Sequence, residues 1–221
     1  MYRVETSSGS VVRTAASLHL VSSSARIVVT DIDGTVTKSD IRGVLLPALG
    51  LSDWKHSGVV PLYHQVTALQ PPRHPDLCPQ ISRQGYTLLY LTNRAIGQAD
   101  MTRDYIFSLE EGGVAMPPGP VLLQIDSVVG ALKTEVIKGQ PELNKIVALS
   151  KIRGLFPSNP FVAGFGNTEW DILAYKALSI DPDMIFHVME DSSLVVEGTG
   201  LPTSYSNIIN NVTNLFPSNF S

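Results

Sequence analysis

The chain has 221 residues, 43% of them hydrophobic, with 16 basic against 20 acidic side chains and a formal charge of −4. That length supports one sizeable core, as one domain or one domain with an appendage. The charge argues against a general nucleic-acid binder or a strongly basic membrane surface, so an anionic ligand must be met locally. The single cysteine, Cys78, excludes an internal disulfide, and no apolar run approaches the roughly eighteen residues that cross a bilayer. With no charged-then-apolar leader at the start, the expectation is a cytoplasmic chain in which Asn211-Val-Thr and Asn219-Phe-Ser are chance sequons.

YRVET and VVRTAASLHLV, within residues 2–24, are short β-prone segments that predict antiparallel strands outside the main sheet. In Arg26–Thr30 the run Ile27, Val28, Val29 predicts a strand buried on both faces of a parallel sheet, with Asp31 at its carboxyl end. A short helix is expected near Val44–Leu49. A second is expected over Ser57–Leu69, where Val59, Val60, Leu62, Tyr63 and Val66 share a face. Residues 70–84 carry four prolines and read as a surface loop. A second buried strand, Tyr86–Leu91, ends at Thr92 as the first ended at Asp31. A helix at Ala99–Leu109, a strand at Val121–Leu123, a helix at Glu142–Ile152 and a strand at Phe161–Phe165 follow. The last runs into GNTEWDILAYKAL, a turn and then a helix. Strands alternating with helices predict a doubly wound, parallel α/β fold.

The stretch RIVVTDIDGTVTKSD, residues 26–40, sets Asp31 and Asp33 one residue apart before a Gly-Thr turn. Carboxylates this close resist joint ionisation unless a cation, hydrogen bonds or a shared proton compensates. Ligands of open α/β sheets bind outside the carboxyl ends of strands, so the position suits chemistry, although a capping Asp before an Asp-Gly turn is the plainer alternative. Thr92, Lys145, Asn167 and Asp171 follow in chain order, and together these residues make a phosphoryl-transfer kit. A carboxylate can attack a dianionic phosphate only if the phosphate charge is neutralised, which a magnesium ion and a lysine would do. Mg²⁺ takes oxygen ligands and keeps waters, so one carboxylate, one backbone carbonyl and either Asn167 or Asp171 would suffice. Asp33 can hold the proton that a leaving alcohol requires. Lys145 has rivals in Lys133, Lys138 and Lys151, and Asn167 and Asp171 read equally well as turn and helix-start residues.

In this order and at strand ends, the residues resemble the haloacid-dehalogenase superfamily of aspartyl-phosphate-forming phosphatases, with its Rossmannoid sheet. DIDGTVTKSD, DWKHSGVVPLYHQV (53–66), LTNRAIGQADMTRDYI (91–106), PPGPVLL (117–123) and GFGNTEWDILAYKAL (164–178) look more specifically like the C-terminal catalytic region of lipins, and the likeness covers residues 2–217. Lipins are Mg²⁺-dependent phosphatidate phosphatases that release diacylglycerol and phosphate. The resemblance implies Asp31 as nucleophile, Asp33 as general acid and then base, and Thr92 with Lys145 as the phosphate-holding pair. It implies Gly34, Thr35, Asn93 and Arg94 as substrate-binding, and Asp31, Asp33, Asn167 and Asp171 as the metal side. The implied substrate is phosphatidic acid at a membrane surface, with the protein peripheral to the endoplasmic reticulum membrane. Residues 1–24 are then expected to be part of an immunoglobulin-like sandwich, residues 25–217 the catalytic domain, and an N-terminal lipin segment with an amphipathic helix to be missing.

Departures from the pattern are the proline-rich stretch 70–84, Asn144 in place of an aromatic before Lys145, and Arg42 where animal lipins begin a leucine-rich coregulator motif. Two rival functions stand beside the lipin-like enzyme. A lipin-like module that binds phosphatidate without hydrolysing it has no use for a proton donor, and Asp33 is present. A phosphatase of a soluble phosphomonoester keeps the chemistry and changes only the entrance.

Overall fold

A computed structural model of the chain describes residues 2–5, 11–14, 17–38, 55–67, 85–124 and 141–218. The helix expected near Val44–Leu49, the stretch 70–84, and Lys133 and Lys138 lie outside the described residues. The two opening segments form a ladder of their own, β1 (Tyr2–Glu5) antiparallel to β2 (Val11–Thr14). The second segment is shorter than expected: residues 17–24 carry no strand and are exposed, Leu18 and Leu20 among them.

The remaining strands are β3 (Ile27–Asp31), β4 (Thr87–Ala95), the hairpin β5 (Glu110–Glu111) and β6 (Val114–Ala115), β7 (Val121–Gln124), β8 (Phe161–Gly166), β9 (Ile185–Val188), β10 (Leu194–Val196) and β11 (Pro202–Thr203). Seven of them make one sheet in the order β11-β10-β9-β8-β3-β4-β7. From β9 to β7 all neighbours run parallel, and β10 and β11 are added antiparallel at one edge. The helices are α1 (Val59–Val66), α2 (Ala99–Phe107), α3 (Pro141–Arg153), α4 (Glu169–Ala177), α5 (Tyr205–Asn210) and α6 (Val212–Leu215). The fold is α/β with a large, mainly parallel sheet, as expected; the antiparallel edge and the two closing helices had no individual forecast.

Side-chain alternation along the central strands builds three layers. Val28, Leu88, Tyr90, Phe165 and Phe186 point to one face, where Val60 and Tyr63 of α1, Tyr105 and Ile106 of α2 and Tyr205 of α5 cover them. Ile27, Val29, Leu89, Leu91 and Phe161 point to the other, under Leu149 of α3 and Ile172 and Tyr175 of α4. All five residues of β3 are buried, which is why its sequence is an unbroken apolar run rather than an alternation. Each such aliphatic side chain contributes about 1.5–3 kcal/mol by leaving water.

The chain leaves β3 toward β4 and β7 over the first face and comes back to β8 and β9 over the second. The winding therefore reverses beside β3, and a crevice opens outside the carboxyl ends of β3, β4 and β8. β4 runs to Ala95, four residues beyond the expected end, with its register to β7 shifting between Leu91 and Ala95. Thr92, Asn93 and Arg94 thus ride on the strand's extension into that crevice.

Candidate active site

Asp31 ends β3 inside the protein, 4% exposed. Its Oδ1 accepts a hydrogen bond from Lys145 Nζ at 2.6 Å, and the same ammonium, presented by α3, donates to Asp171 Oδ1 on α4. Lys145 and Asp171 are buried as well, so α3 packing on α4 brings one cation between two carboxylates. Burial, opposed by Lys145 and reinforced by Asp171 and Asp33, raises the Asp31 carboxyl to about 8. Burial alone would lower Lys145, but Asp31 and Asp171 overrule it and hold the ammonium charged well above the usual lysine range. Of the rival lysines, Lys151 is exposed on α3.

Asp171 does a second job. Thr168 is the N-cap of α4, and its Oγ1 accepts from the Asp171 amide at 3.2 Å. Asp171 Oδ2 in turn accepts from the Thr168 amide at 3.2 Å and from its hydroxyl at 2.7 Å, which completes a capping box. Gly166 makes room for this, since a Cβ there would run into Asp171 Cβ. The Gly166→Ala variant is expected to lose about 1–3 kcal/mol of stability, read by urea denaturation, because neither β8 nor the cap can yield.

Asp33 sits in a wetter place, with its side chain 20% exposed. Thr92 Oγ1 donates to its Oδ2 at 2.8 Å, and Arg94 grips both oxygens, Nη2 to Oδ1 at 2.6 Å and Nε at 3.1 and 3.3 Å. The Arg94 amide donates to Thr92 Oγ1 at 3.1 Å, which ties the two together. Thr92 and Lys145, expected as one pair, therefore touch different aspartates. Asn93 is exposed. Thr35 Oγ1 donates to Asn167 Oδ1 at 3.3 Å, joining the turn after β3 to the turn after β8. Gly34 and Asn167 line one cavity of about 580 Å³, with Lys38, His187 and the stretch 188–191 on its walls.

The chemistry of the donor set bears on a metal. Asp31 and Asp33 offer carboxylate oxygens and Asn167 an amide oxygen, a hard donor set that suits a hard cation. Among the described residues no group of three or more His, Cys, Asp or Glu is arranged to hold a metal alone. Mg²⁺, which keeps several waters and takes one or two carboxylates plus substrate oxygens, does not need such a group. Asp171 accepts a hydrogen bond on each oxygen, from Lys145 on Oδ1 and from Thr168 on Oδ2.

Sequence reasoning missed His56 and Ser192. His56 is fully buried between the turn after β3 and the loop joining β9 to β10, where its Nδ1 lies 2.8 Å from Ser192 Oγ and its Nε2 3.2 Å from the Gly34 carbonyl. Nothing local could have found a pair 136 residues apart. His187 Nε2, 3.0 Å from the Asn167 carbonyl, was missed for the same reason.

A family model described as LNS2 (Lipin/Ned1/Smp2) matches residues 1–70 and 74–217, so its break within the proline-rich stretch is only three residues, 71–73. The human protein named phosphatidate phosphatase LPIN1 is 37% identical over 220 residues, covering 98% of this chain and 23% of that protein. Phosphatidic acid phosphohydrolase 1 of Saccharomyces cerevisiae is 39% identical over 206 residues, 86% of this chain and 22% of the relative. Phosphatidate phosphatase PAH1 of Arabidopsis thaliana is 39% identical over 196 residues, 87% and 20%. The chain thus spans about a fifth of the length of these relatives. Matched across nearly all its residues, the chain belongs to the LNS2 (Lipin/Ned1/Smp2) family.

Proposed function

We propose that this chain carries the catalytic region of a Mg²⁺-dependent phosphatidate phosphatase, which hydrolyses phosphatidic acid to diacylglycerol and phosphate through an aspartyl phosphate on Asp31. The observation that supports it best is the pair of aspartates in unlike settings: Asp31 buried against an ammonium, Asp33 half-wet under Thr92 and Arg94. Two carboxylates whose surroundings differ are suited to different roles, one as nucleophile and the other in proton transfer. The names of the relatives and the family match support the choice of substrate.

With Oδ1 held by Lys145, Asp31 keeps Oδ2 for attack on phosphorus, and the lysine charge softens the repulsion of the incoming phosphate. The P–O bond to the glyceryl oxygen breaks and Asp33 gives that oxygen its proton. A water, losing a proton to Asp33, then attacks the acyl phosphate, releasing phosphate and restoring Asp31. Thr92 and Arg94 orient Asp33 for both transfers, and Thr35 holds Asn167 beside the turn. Mg²⁺, held by Asp31, the Asp33 carbonyl and Asn167, would supply charge neutralisation to the phosphate. A lipid substrate puts the proposed reaction at a membrane surface, and this reading takes that to be the endoplasmic reticulum; among the described residues no helix is long and apolar enough to cross one.

Phosphate release from phosphatidate in mixed micelles is expected to require Mg²⁺, to stop with chelator and to fall about 10²-fold in Asn167→Ala. Full activity after dialysis against chelator would overturn the metal assignment. Binding of phosphatidate without release would favour the non-catalytic module, and equal rates on a soluble phosphomonoester would favour a soluble substrate.

A further inference from the structure

The turn that carries Asp33 is held mostly by its own backbone. The Ile32 carbonyl accepts from the amides of Thr35, Val36 and Thr37 at 3.3, 2.9 and 3.1 Å. Gly34 stands at φ +87°, a conformation open to glycine, and its amide donates to Thr37 Oγ1 at 3.2 Å. Its carbonyl takes no backbone amide among the described residues; the partner it has is His56 Nε2 at 3.2 Å. A carbonyl only accepts, so Nε2 carries the proton, and the neutral ring then offers Nδ1 as acceptor to the Ser192 hydroxyl at 2.8 Å. Burial lowers the His56 pKa and so favours that neutral ring.

The ring is costly to bury and would be replaced by an apolar one if packing were its whole purpose, because an imidazole taken out of water must satisfy both nitrogens. Here both are satisfied, and by groups from two separate segments, the turn after β3 and the loop joining β9 to β10. Ser192 stands at φ +72° in that loop, whose residues 189–191 and 193 line the cavity that Gly34 also lines. The His56 amide bonds the Val36 carbonyl at 3.1 Å, so the ring is itself anchored to the turn it holds.

We infer that His56 is a positioning residue for the proposed reaction: its Nε2–H fixes the Gly34–Thr35 peptide between Asp33 and Thr35, and its Nδ1 ties that peptide to Ser192 in the loop joining β9 to β10. Through this peptide it sets two directions at once. One is that of Asp33, on the near side, toward the leaving oxygen. The other is that of Thr35, whose hydroxyl holds Asn167. Ser192 closes the link, so that the loop joining β9 to β10 and the catalytic turn keep one spacing. The inference rests on the phosphatase reading above, and its test includes a readout that does not.

¹⁵N NMR of the full chain is expected to show His56 neutral, with a pyrrole-type Nε2 and a pyridine-type Nδ1; the opposite tautomer would overturn the inference whatever the activity. In steady-state assays on phosphatidate micelles, His56→Ala is expected to lose about 10²-fold in kcat with KM changed less than about threefold, since an ångström-scale displacement of reacting groups has that effect. His56→Gln, which can restore an N–H near the Gly34 carbonyl, is expected to recover to within about tenfold of wild type, whereas His56→Phe, similar in bulk, does not recover. A folded His56→Ala with unchanged kcat, or His56→Phe as active as His56→Gln, would reduce His56 to packing and overturn the inference. Ser192→Ala, a milder change that leaves the ring in place, is expected to lower kcat less than His56→Ala and to add little to it in the double variant. Full additivity would overturn the link through Ser192. Failure of the wild type to release phosphate from any phosphomonoester would sink the phosphatase reading alone, leaving the tautomer to decide the hydrogen bonds of His56.

Discussion

The Asp31→Asn variant is expected to fold and to release no phosphate, a loss on the order of 10⁴-fold or more, because it deletes the nucleophile and leaves the surroundings in place. Its stability should also separate from that of the wild type in a pH-dependent way. The Asp31 carboxyl is raised from 3.8 to about 8 by burial, so between those values the folded, metal-free protein binds a proton that the unfolded chain has lost. Wild-type stability therefore falls as pH rises through that window. Asparagine has no proton to lose, so in chelator the variant should match the wild type near pH 4 and exceed it near pH 8. Differential scanning calorimetry at the two pH values, with phosphate release measured on the same samples, checks both halves. Retention of more than a few per cent of activity would rule out the covalent step at Asp31.

Lys145→Met is expected to have the largest effect on stability. It removes the cation that Asp31 and Asp171 share and leaves the buried Asp171 without its charge partner, a loss that costs about 3–5 kcal/mol. Replacing Asp171 by asparagine in the same chain should relieve part of that deficit, as the buried charge is then gone and the Thr168 cap keeps an acceptor. Urea denaturation of the single and double variants at two pH values measures the coupling directly. A single variant as stable as the wild type would mean that the ammonium does not hold these groups together.

Much of the fold was legible because its signals are local. The Ile27-Val28-Val29 run and the apolar runs of β4 and β8 are what burial on both sheet faces requires, and a strand so built must expose its chemistry at its end, where Asp31 stands. The GNTEWDILAYKAL stretch read as a turn and then a helix, and α4 follows there, with Thr168 as its cap. Lys145 was harder to single out among four lysines, because only the packing of α3 on α4 decides which ammonium reaches Asp31; of the four, Lys145 reaches it and Lys151 is exposed. The antiparallel edge had no individual forecast because Leu194–Val196 and Pro202–Thr203 are too short to show an alternation. His56 was invisible for a different reason. Its partners come from the turn after β3 and from a loop more than a hundred residues away, and a single histidine in a helical approach carries no periodicity.

The capping box of α4 ties two kinds of tolerance together. At an ordinary helix start the third residue can drift among Asp, Glu, Asn and Gln at small cost, since each offers some acceptor to the cap. At position 171 that freedom is gone. Asparagine keeps the reach but drops the charge that Lys145 needs; glutamate keeps the charge but adds a methylene where Gly166 leaves no slack. A change that improved the helix would therefore disturb the ammonium beside Asp31, and a change that retuned the ammonium would fray the helix. The position meets two physical requirements that cannot be satisfied separately, and the first turn of α4 is constrained by the ion pair it adjoins.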